Sequence, residues 1–246
     1  MTGGRLADYD FALPRELVAS RPLPERSASR MVVVDRTAGN IAHRMFRDLP
    51  EFLAPRDLFV LNDSRVIPAR LLTDDGKIEL LLFSRTGPAR WRAFARPGKH
   101  TRPGDSFRIA GTVARIESID DSDGTRIVQF EGEPDLERLG HMPIPPYLGR
   151  EDDKDDRVRY QTVYARAAGS VAAPTAGLHF TPEMLARLPH AFVTLHVGPG
   201  TFLPVRAEDL DEQRMHGEDY TIGAEATGAI NAARRVVAVG TTSLRV

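Results

Sequence analysis

Short apolar runs, bounded by charged, proline or glycine residues, set the pattern of this chain. Two of them, MVVVD (31–35) and DLFVLND (57–63), are rich in β-branched and leucine residues and predict buried strands. From about residue 77 the runs crowd together with no helical periodicity between them. Five strand candidates follow one another there: KIELLLFS, WRAFARP, DSFRIA, GTVARIESI and TRIVQFEG. Strands at this spacing predict a small antiparallel barrel or sandwich over roughly 71–140.

The pattern changes again after this β segment. HMPIPPYLGREDDKDD joins prolines to an acidic run, which predicts an extended and then strongly solvated boundary. YQTVYAR (160–166) is interpreted as a helix. TPEMLARL has the signature of a helix start, with Thr181 as N-cap and a proline after it. FVTLHV then predicts a strand, AEATGAINAARR (224–235) a helix, and RVVAVG (235–240) a buried strand.

These elements together predict an α/β fold, with a mixed α/β body and an inserted small antiparallel β-barrel-like domain. We expect residues 1–70 and 141–246 to form the body and 71–140 to form the insert. A chain of 246 residues is long enough to bury a substantial core without disulfides or metals.

Composition narrows the classes of function. The formal net charge is −1, from 33 Lys and Arg against 34 Asp and Glu, so no global basic field indicates nucleic acid and local placement must decide. The absence of cysteine excludes disulfides, thiolate metal sites and cysteine nucleophiles. The N-terminus has no apolar signal region, and no apolar run approaches the roughly 20 residues of a membrane span. We therefore expect a cytoplasmic protein with no membrane partner.

Three segments combine small residues with polar side chains, as ligand-binding loops do. They are NDSRVIPAR (62–70), APTAGLHFT (173–181) and HVGPGTFLPVR (196–206). Glycine and alanine would let a ligand approach the backbone closely. Ordinary structural turns would explain the same residues, and neither GxGxxG nor GxxxxGK[ST] occurs.

Histidine and carboxylate side chains near these loops offer proton-transfer chemistry. His179, His216 and Glu218 are candidates for general acid and base roles near neutral pH. As an alternative, a single histidine beside apolar residues is often only a satisfied structural residue. No HxxxH or HxH spacing supports a metal site. Tyr147, Tyr160 and Tyr164 could stack on bases, or could simply pack at a domain seam.

Seven motifs in this order resemble the S-adenosylmethionine:tRNA ribosyltransferase-isomerase family. They are LNDSRVIPARL, HMPIPPYLGR, RYQTVYAR, SVAAPTAGLHFT, LHVGPGTFLPVR, MHGEDY and VVAVGTTSLR. The N-terminal DYDFALPRELVASRPLPERSASRMVVVDR matches as well, so the resemblance covers nearly the whole chain. It implies transfer of the ribosyl part of S-adenosylmethionine to 7-aminomethyl-7-deazaguanine at the tRNA wobble position. Epoxyqueuosine in tRNA, adenine and methionine are then the products.

The resemblance also implies partners and residue roles. S-adenosylmethionine is the co-substrate, no metal is required, and the partner is a tRNA anticodon stem-loop bound by a monomer. The matched motifs locate His179, His216 and Glu218 as catalytic candidates. Arg30, Arg65 and Arg70 would suit anticodon phosphates. The remaining substrate-binding candidates in these motifs are Asn62, Asp63, Thr175, Gly177, Gly198, Gly200 and Thr201.

Two departures from the family keep alternatives open. The family continues past the GTTS strand with a segment containing an FHLP-like motif, whereas this sequence ends at GTTSLRV. The insert is also short between its first strands. The alternatives are a shortened, non-catalytic homologue that binds tRNA or S-adenosylmethionine, and the product of a truncated reading frame.

Overall fold

A computed structural model describes residues 4–202, 205, 207–212 and 217–246, which fall into two compact units. The barrel unit contains Met1–Ser20, Ile67–Asp153 and Gly198–Glu218. The α/β unit contains Arg21–Val66, Lys154–Val197 and Asp219–Val246. The mixed α/β class with a barrel-like antiparallel sheet is confirmed. The limits of an inserted domain at 71–140 stay a prediction.

The elements are short throughout the described chain. The strands are β1 (Arg30–Asp35), β2 (Asn40–Met45), β3 (Asp57–Asn62), β4 (Ser64–Val66), β5 (Arg70–Leu72), β6 (Glu79–Gly87), β7 (Arg90–Arg96), β8 (Ser106–Ile109), β9 (Thr112–Ile119), β10 (Arg126–Phe130), β11 (Ala167–Ser170), β12 (His190–Leu195), β13 (Tyr220–Thr221) and β14 (Arg235–Ala238). The α-helices are α1 (Leu136–Leu139), α2 (Asp156–Arg159), α3 (Pro182–Arg187), α4 (Ala224–Ala232) and α5 (Gly240–Arg245). Short 3-10 helices occupy Leu6–Tyr9, Arg15–Leu17, Arg26–Ala28, Phe46–Phe52, Gly98–His100, Pro146–Leu148, Thr175–His179, Pro199–Phe202 and Leu210–Glu212. Among the described residues, no helix has the length and apolar character needed to cross a membrane.

The barrel unit is built on one antiparallel sheet in the order β5-β6-β7-β10-β9-β8. All five strands predicted in this region, now β6 to β10, are confirmed. The two edge strands come together because Asp74, just after β5, donates its backbone N–H to the carbonyl of Arg108 in β8 at 2.9 Å. The sheet therefore nearly closes. Its interior is filled by fully buried side chains, namely Leu71, Leu80, Leu82, Ala93, Ala114, Ile116 and Val128.

The α/β unit is organised around β3. This strand pairs in parallel with β12 on one side and β14 on the other, and β13 adds antiparallel to β12. Alternate residues of β3 belong to two different apolar clusters. Phe59 and Leu61 pack in the first cluster, and Leu58 and Val60 pack in the second. A continuous apolar run is what a central parallel strand covered on both faces requires. The prediction of a buried strand at 57–63 is confirmed.

Three predictions about single segments are wrong in detail. Residues 31–35 form β1 but are not buried, since β1 pairs only with β2 within the described residues and leaves Val32 and Val34 about 58% and 61% exposed. β14 is likewise an edge strand, with Val236 exposed. Residues 160–166 form turns rather than a helix, because the Gln161 side chain bonds both the N–H and the carbonyl of Val66.

The acidic boundary is also less solvated than predicted. Asp152 accepts hydrogen bonds from the His141 ring at 2.9 Å and from the Met142 N–H at 2.8 Å, and Asp156 is buried. Carboxylates buried in this way have to be hydrogen-bonded, so part of the acidic run fixes the chain instead of only solvating it. The start of α3 is confirmed, since the Thr181 hydroxyl accepts from the Met184 N–H at 3.3 Å.

Candidate functional site

A cavity of about 570 Å³ lies within the barrel unit, and we call it the groove. Its lining from the sheet includes Leu81 of β6 and Phe94 of β7, which are directly opposite each other in the strand register. Their neighbour Leu80 points into the barrel core and is fully buried. Because side chains alternate along a strand, Leu81 and Phe94 face outward, and they give the groove an apolar surface.

Further apolar lining comes from two segments that are distant in sequence. Pro143, Ile144 and Pro146 lie in the predicted boundary segment, and Phe202 ends the 3-10 turn Pro199–Phe202. Prolines fix the backbone and lose little entropy on ordering, so this surface is well suited to hold a preformed shape. The groove has the size and apolar character of a small-molecule site.

Charged side chains of both signs stand beside this apolar surface. Arg70 donates from Nε to Glu79 at 2.9 Å and from a terminal nitrogen to Glu151 at 2.6 Å, while its side chain is only 18% exposed. The hydrogen bond and charge of Arg70 lower the pKa of the Glu151 carboxyl below its ordinary value. The Glu151 carboxyl is therefore ionised near neutral pH. Arg96, which lies across from Glu79 in the register, is exposed.

Five of the described candidate residues belong to the barrel unit. Arg70 is held by the two groove carboxylates, so its charge is already paired. The Gly198 N–H donates to the Glu218 carboxylate at 3.0 Å, which joins two candidates in one contact. Gly200 and Thr201 lie in the same turn as Phe202, next to the groove lining. His216 lies outside the described residues.

The other described candidates belong to the α/β unit. Asn62 is fully buried at the end of β3, where its side chain donates to the Leu195 carbonyl at 2.9 Å and accepts the N–H groups of Leu195 and Ser64. Asp63 accepts the Thr194 hydroxyl at 2.6 Å and the Arg166 guanidinium at 3.0 Å. Their polar atoms therefore hold β3 and β12 together. Arg65 is half-buried, and Arg30 is exposed at the start of β1.

The segment Thr175–His179 forms a single 3-10 turn. Thr175 is exposed, whereas Gly177 is buried against Tyr164. The Arg26 guanidinium donates to the carbonyl of Leu178 at 2.8 Å and fixes the turn. The His179 ring lies 5.1 Å from the ring of Phe46, centroid to centroid. Burial, with a smaller contribution from the Arg26 charge, lowers the pKa of His179 below its ordinary value. The imidazole is therefore neutral at pH 7 and can accept a proton.

The depressed pKa of His179 predicts a sign for the pH dependence of stability. The unfolded chain takes up this proton at a higher pH than the folded chain does. The contribution is therefore complete above the ordinary pKa of 6.5 and is lost as the pH falls below it. We expect His179→Gln to reduce the drop in the free energy of unfolding between about pH 8 and pH 5. Urea titrations of both proteins measure this, and equal drops would contradict it.

A buried polar network lies beside these candidates in the α/β unit. The Ser64 hydroxyl contacts the Ser170 hydroxyl at 2.6 Å and Nδ1 of His196 at 2.8 Å, and the Ser170 hydroxyl accepts the Val197 N–H at 2.9 Å. All groups are satisfied when Ser170 donates to Ser64 and Ser64 donates to His196. The sequence pattern places Ser64 and His196 in loops but gives no sign that they meet. Because the Val197 N–H donates to this network, the network holds the backbone directly before Gly198 in place.

No metal centre emerges from the side chains in the described ranges. Nowhere in those ranges do three or more His, Asp or Glu residues come together as metal ligands would.

Comparison with known proteins gives a consistent family. The family described as queuosine biosynthesis protein matches residues 6–246. The S-adenosylmethionine:tRNA ribosyltransferase-isomerase of Anaeromyxobacter dehalogenans is 49% identical over 98% of this chain and 75% of that protein. The protein of the same name from Symbiobacterium thermophilum is 48% identical, with the same coverage. A crystal structure of S-adenosylmethionine tRNA ribosyltransferase from Thermotoga maritima is 31% identical, covers 97% of this chain and 70% of that chain, and superposes with a TM-score of 0.43.

Proposed function

Because the chain belongs to the queuosine biosynthesis protein family, we propose that it is an S-adenosylmethionine-dependent tRNA ribosyltransferase-isomerase. It transfers and isomerises the ribosyl group of S-adenosylmethionine onto 7-aminomethyl-7-deazaguanine at the tRNA wobble position. Epoxyqueuosine in tRNA is formed, and adenine and methionine are released. The observation that carries this proposal is the 49% identity, over 98% of the chain, to a protein of that name.

The proposed reaction requires a base, a site for the small co-substrate and a protein surface that binds RNA. The sulfonium of S-adenosylmethionine acidifies the C5′ hydrogens of its ribose, so a positioned base can start the reaction. His179, neutral and half-buried, has the protonation state of such a base. Glu218 and His216 are the other proposed acid–base groups. Asn62, Asp63, Thr175, Gly177, Gly198, Gly200 and Thr201 stay proposed substrate-binding residues.

The direct test is turnover. The purified protein is incubated with S-adenosylmethionine and a tRNA that carries 7-aminomethyl-7-deazaguanine at the wobble position, and free adenine and methionine are quantified. The matched control is the same tRNA with unmodified guanine, which lacks the amine that accepts the ribosyl group. We expect release of both products only with the modified tRNA. Tight binding of both substrates without product would instead favour a non-catalytic homologue.

The tRNA partner, an anticodon stem-loop, is proposed to contact the exposed cations of the α/β unit. Arg30 lies at the end of the exposed β1–β2 hairpin, and within the described residues it makes no ion pair. A cation that contacts a phosphate releases a counterion, so its removal lowers the salt dependence of binding. Arg65 is a second proposed phosphate contact. Arg70 is a weaker one, because two carboxylates already neutralise it.

We expect Arg30→Ala to weaken tRNA binding severalfold at low salt and to reduce the slope of log K against log salt by about 1. Filter binding over a salt series measures both quantities. Arg187→Ala is the matched control, since Arg187 is an exposed arginine of the same unit outside the proposed contacts. An unchanged slope for Arg30→Ala would remove this residue from the phosphate contacts.

We propose further that the protein acts as a monomer in the cytoplasm, where its tRNA substrate is found.

A further inference from the structure

We propose that the groove is the S-adenosylmethionine site, with Arg96 and Glu79 holding the amino-acid end of the molecule. This inference rests on the proposed function and adds to it a location and an orientation. The shape of the groove, its charged lining and the pairing of Glu79 with Arg96 in the strand register support it.

The shape of the groove suits one nucleoside-sized molecule. Its volume of about 570 Å³ lies within the range of small-molecule sites, about 300–1,000 Å³. Leu81 and Phe94 supply an apolar and aromatic surface, and the Phe94 ring is held by Phe83, 5.6 Å away between centroids. Ile144 and Pro143 line the same cavity. A planar purine buries its faces favourably on surfaces of this kind.

The charges distinguish S-adenosylmethionine from a stretch of RNA. S-adenosylmethionine carries a sulfonium and an ammonium, both positive, and one carboxylate. The groove offers partners for both signs: Glu79 and Glu151 for the cations, and Arg96 and Arg150 for the carboxylate. An RNA backbone carries no positive charge, so it would offer nothing to these two glutamates. Arg70 does not cancel their attraction for a cation, because one guanidinium is shared between two carboxylates.

The register places the two key charges side by side. Glu79 and Arg96 are direct cross-strand partners in the β6–β7 pair. Directly opposed residues have Cβ atoms about 5 Å apart, so both side chains can reach the same end of one small ligand. Oε2 of Glu79 accepts from Arg70, and a carboxylate can accept further donors. Within the described residues Arg96 makes no ion pair, so its guanidinium can form a two-point contact with a ligand carboxylate.

The test changes Arg96 to methionine, which keeps the length of the side chain and removes the charge. We expect the KM for S-adenosylmethionine to rise about tenfold or more, the KM for tRNA to stay unchanged, and the melting temperature to stay near that of the wild type. Arg115→Met is the control, since Arg115 is an exposed arginine on β9, in the same sheet but outside the groove. It should leave both KM values unchanged.

Two competitors separate the ends of the ligand. S-adenosylhomocysteine has the amino-acid end, whereas 5′-methylthioadenosine lacks it. Arg96→Met should weaken binding of the first by about tenfold and leave binding of the second unchanged, as measured by calorimetry. Equal effects on both competitors would overturn the proposed orientation. A raised KM for tRNA alone would show that the groove holds RNA. Wild-type turnover with no effect of Arg96→Met on either substrate would overturn this inference alone, whereas absent wild-type turnover would challenge the proposed function.

Discussion

Gly140→Ala is expected to lower the free energy of unfolding by about 3 kcal/mol or more. A Cβ at this position would lie 1.7 Å from the Pro68 carbonyl oxygen and 2.7 Å from that of Leu136. Both are backbone atoms, so neither can rotate away as a flexible side chain would. The φ of Gly140 is −85°, which any residue can adopt, so the whole effect comes from this close approach.

Gly140→Ala should also disturb the groove. The next residue, His141, exchanges two backbone hydrogen bonds with Arg70, at 2.8 and 3.3 Å. A shift of this segment therefore moves Arg70 and its carboxylate partners, and we expect weaker binding of S-adenosylmethionine at temperatures where the variant is still folded. Gly132→Ala is the control in the same unit, since nothing lies within 4 Å of its Cβ position. Urea unfolding of Gly140→Ala within about 0.5 kcal/mol of the wild type would contradict the prediction.

The barrel strands could be predicted because local signals agree there. Each candidate alternates outward and inward residues or ends at Gly, Pro or Asp, and the antiparallel partner follows within a few residues. The central strand β3 could be predicted equally well, because a strand buried on both faces shows a nearly continuous apolar run. Thr181 was recognisable since capping is a local hydrogen bond.

The exposure of a strand and the hydrogen bonds between distant segments could not be predicted from local signals. The residues of β1 have the composition of a core strand, and only the absence of a third strand beside β1 and β2 in the described chain leaves Val32 exposed. Residues 160–166 have a helix-compatible pattern, but the Gln161 side chain binds the backbone of Val66, 95 residues earlier. Tertiary hydrogen bonds of this kind override local preference.

The residues of the candidate site also divide into those that the sequence could predict and those that it could not. Of the groove lining, only Arg70 was predicted, because motif reasoning selects polar residues in glycine-rich loops. Leu81 and Phe94 look like ordinary strand residues until the register shows that they share the outer face. Conversely, Asn62 and Asp63 follow a strand end as ligand-binding residues do, yet their side chains bond Leu195 and Thr194. A polar residue at a strand end is therefore compatible with either role until its partners are known.

Gly177→Ala is the second substitution with a large expected effect, a loss of about 2–3 kcal/mol in the free energy of unfolding. In the sequence this glycine suggested room for a ligand, but a Cβ there would lie 2.0 Å from the Tyr164 hydroxyl oxygen and 2.9 Å from a methyl group of Thr162. Tyr164 cannot easily move, because its ring packs against Phe180 and Phe192. The crowding is therefore intramolecular.

Tyr164→Phe should restore part of this loss, because it removes the atom that the methyl group introduced by Gly177→Ala would meet first. The hydroxyl is buried with no hydrogen-bond partner in the described residues, so its removal alone should cost little or even stabilise the fold. The double variant should then be more stable than the sum of the single effects by about 1 kcal/mol or more, as urea titrations of the four proteins would show. Strict additivity would mean that Gly177 does not owe its place to Tyr164. Retained stability of the Gly177→Ala variant together with weaker substrate binding would instead mean that this glycine borders a ligand.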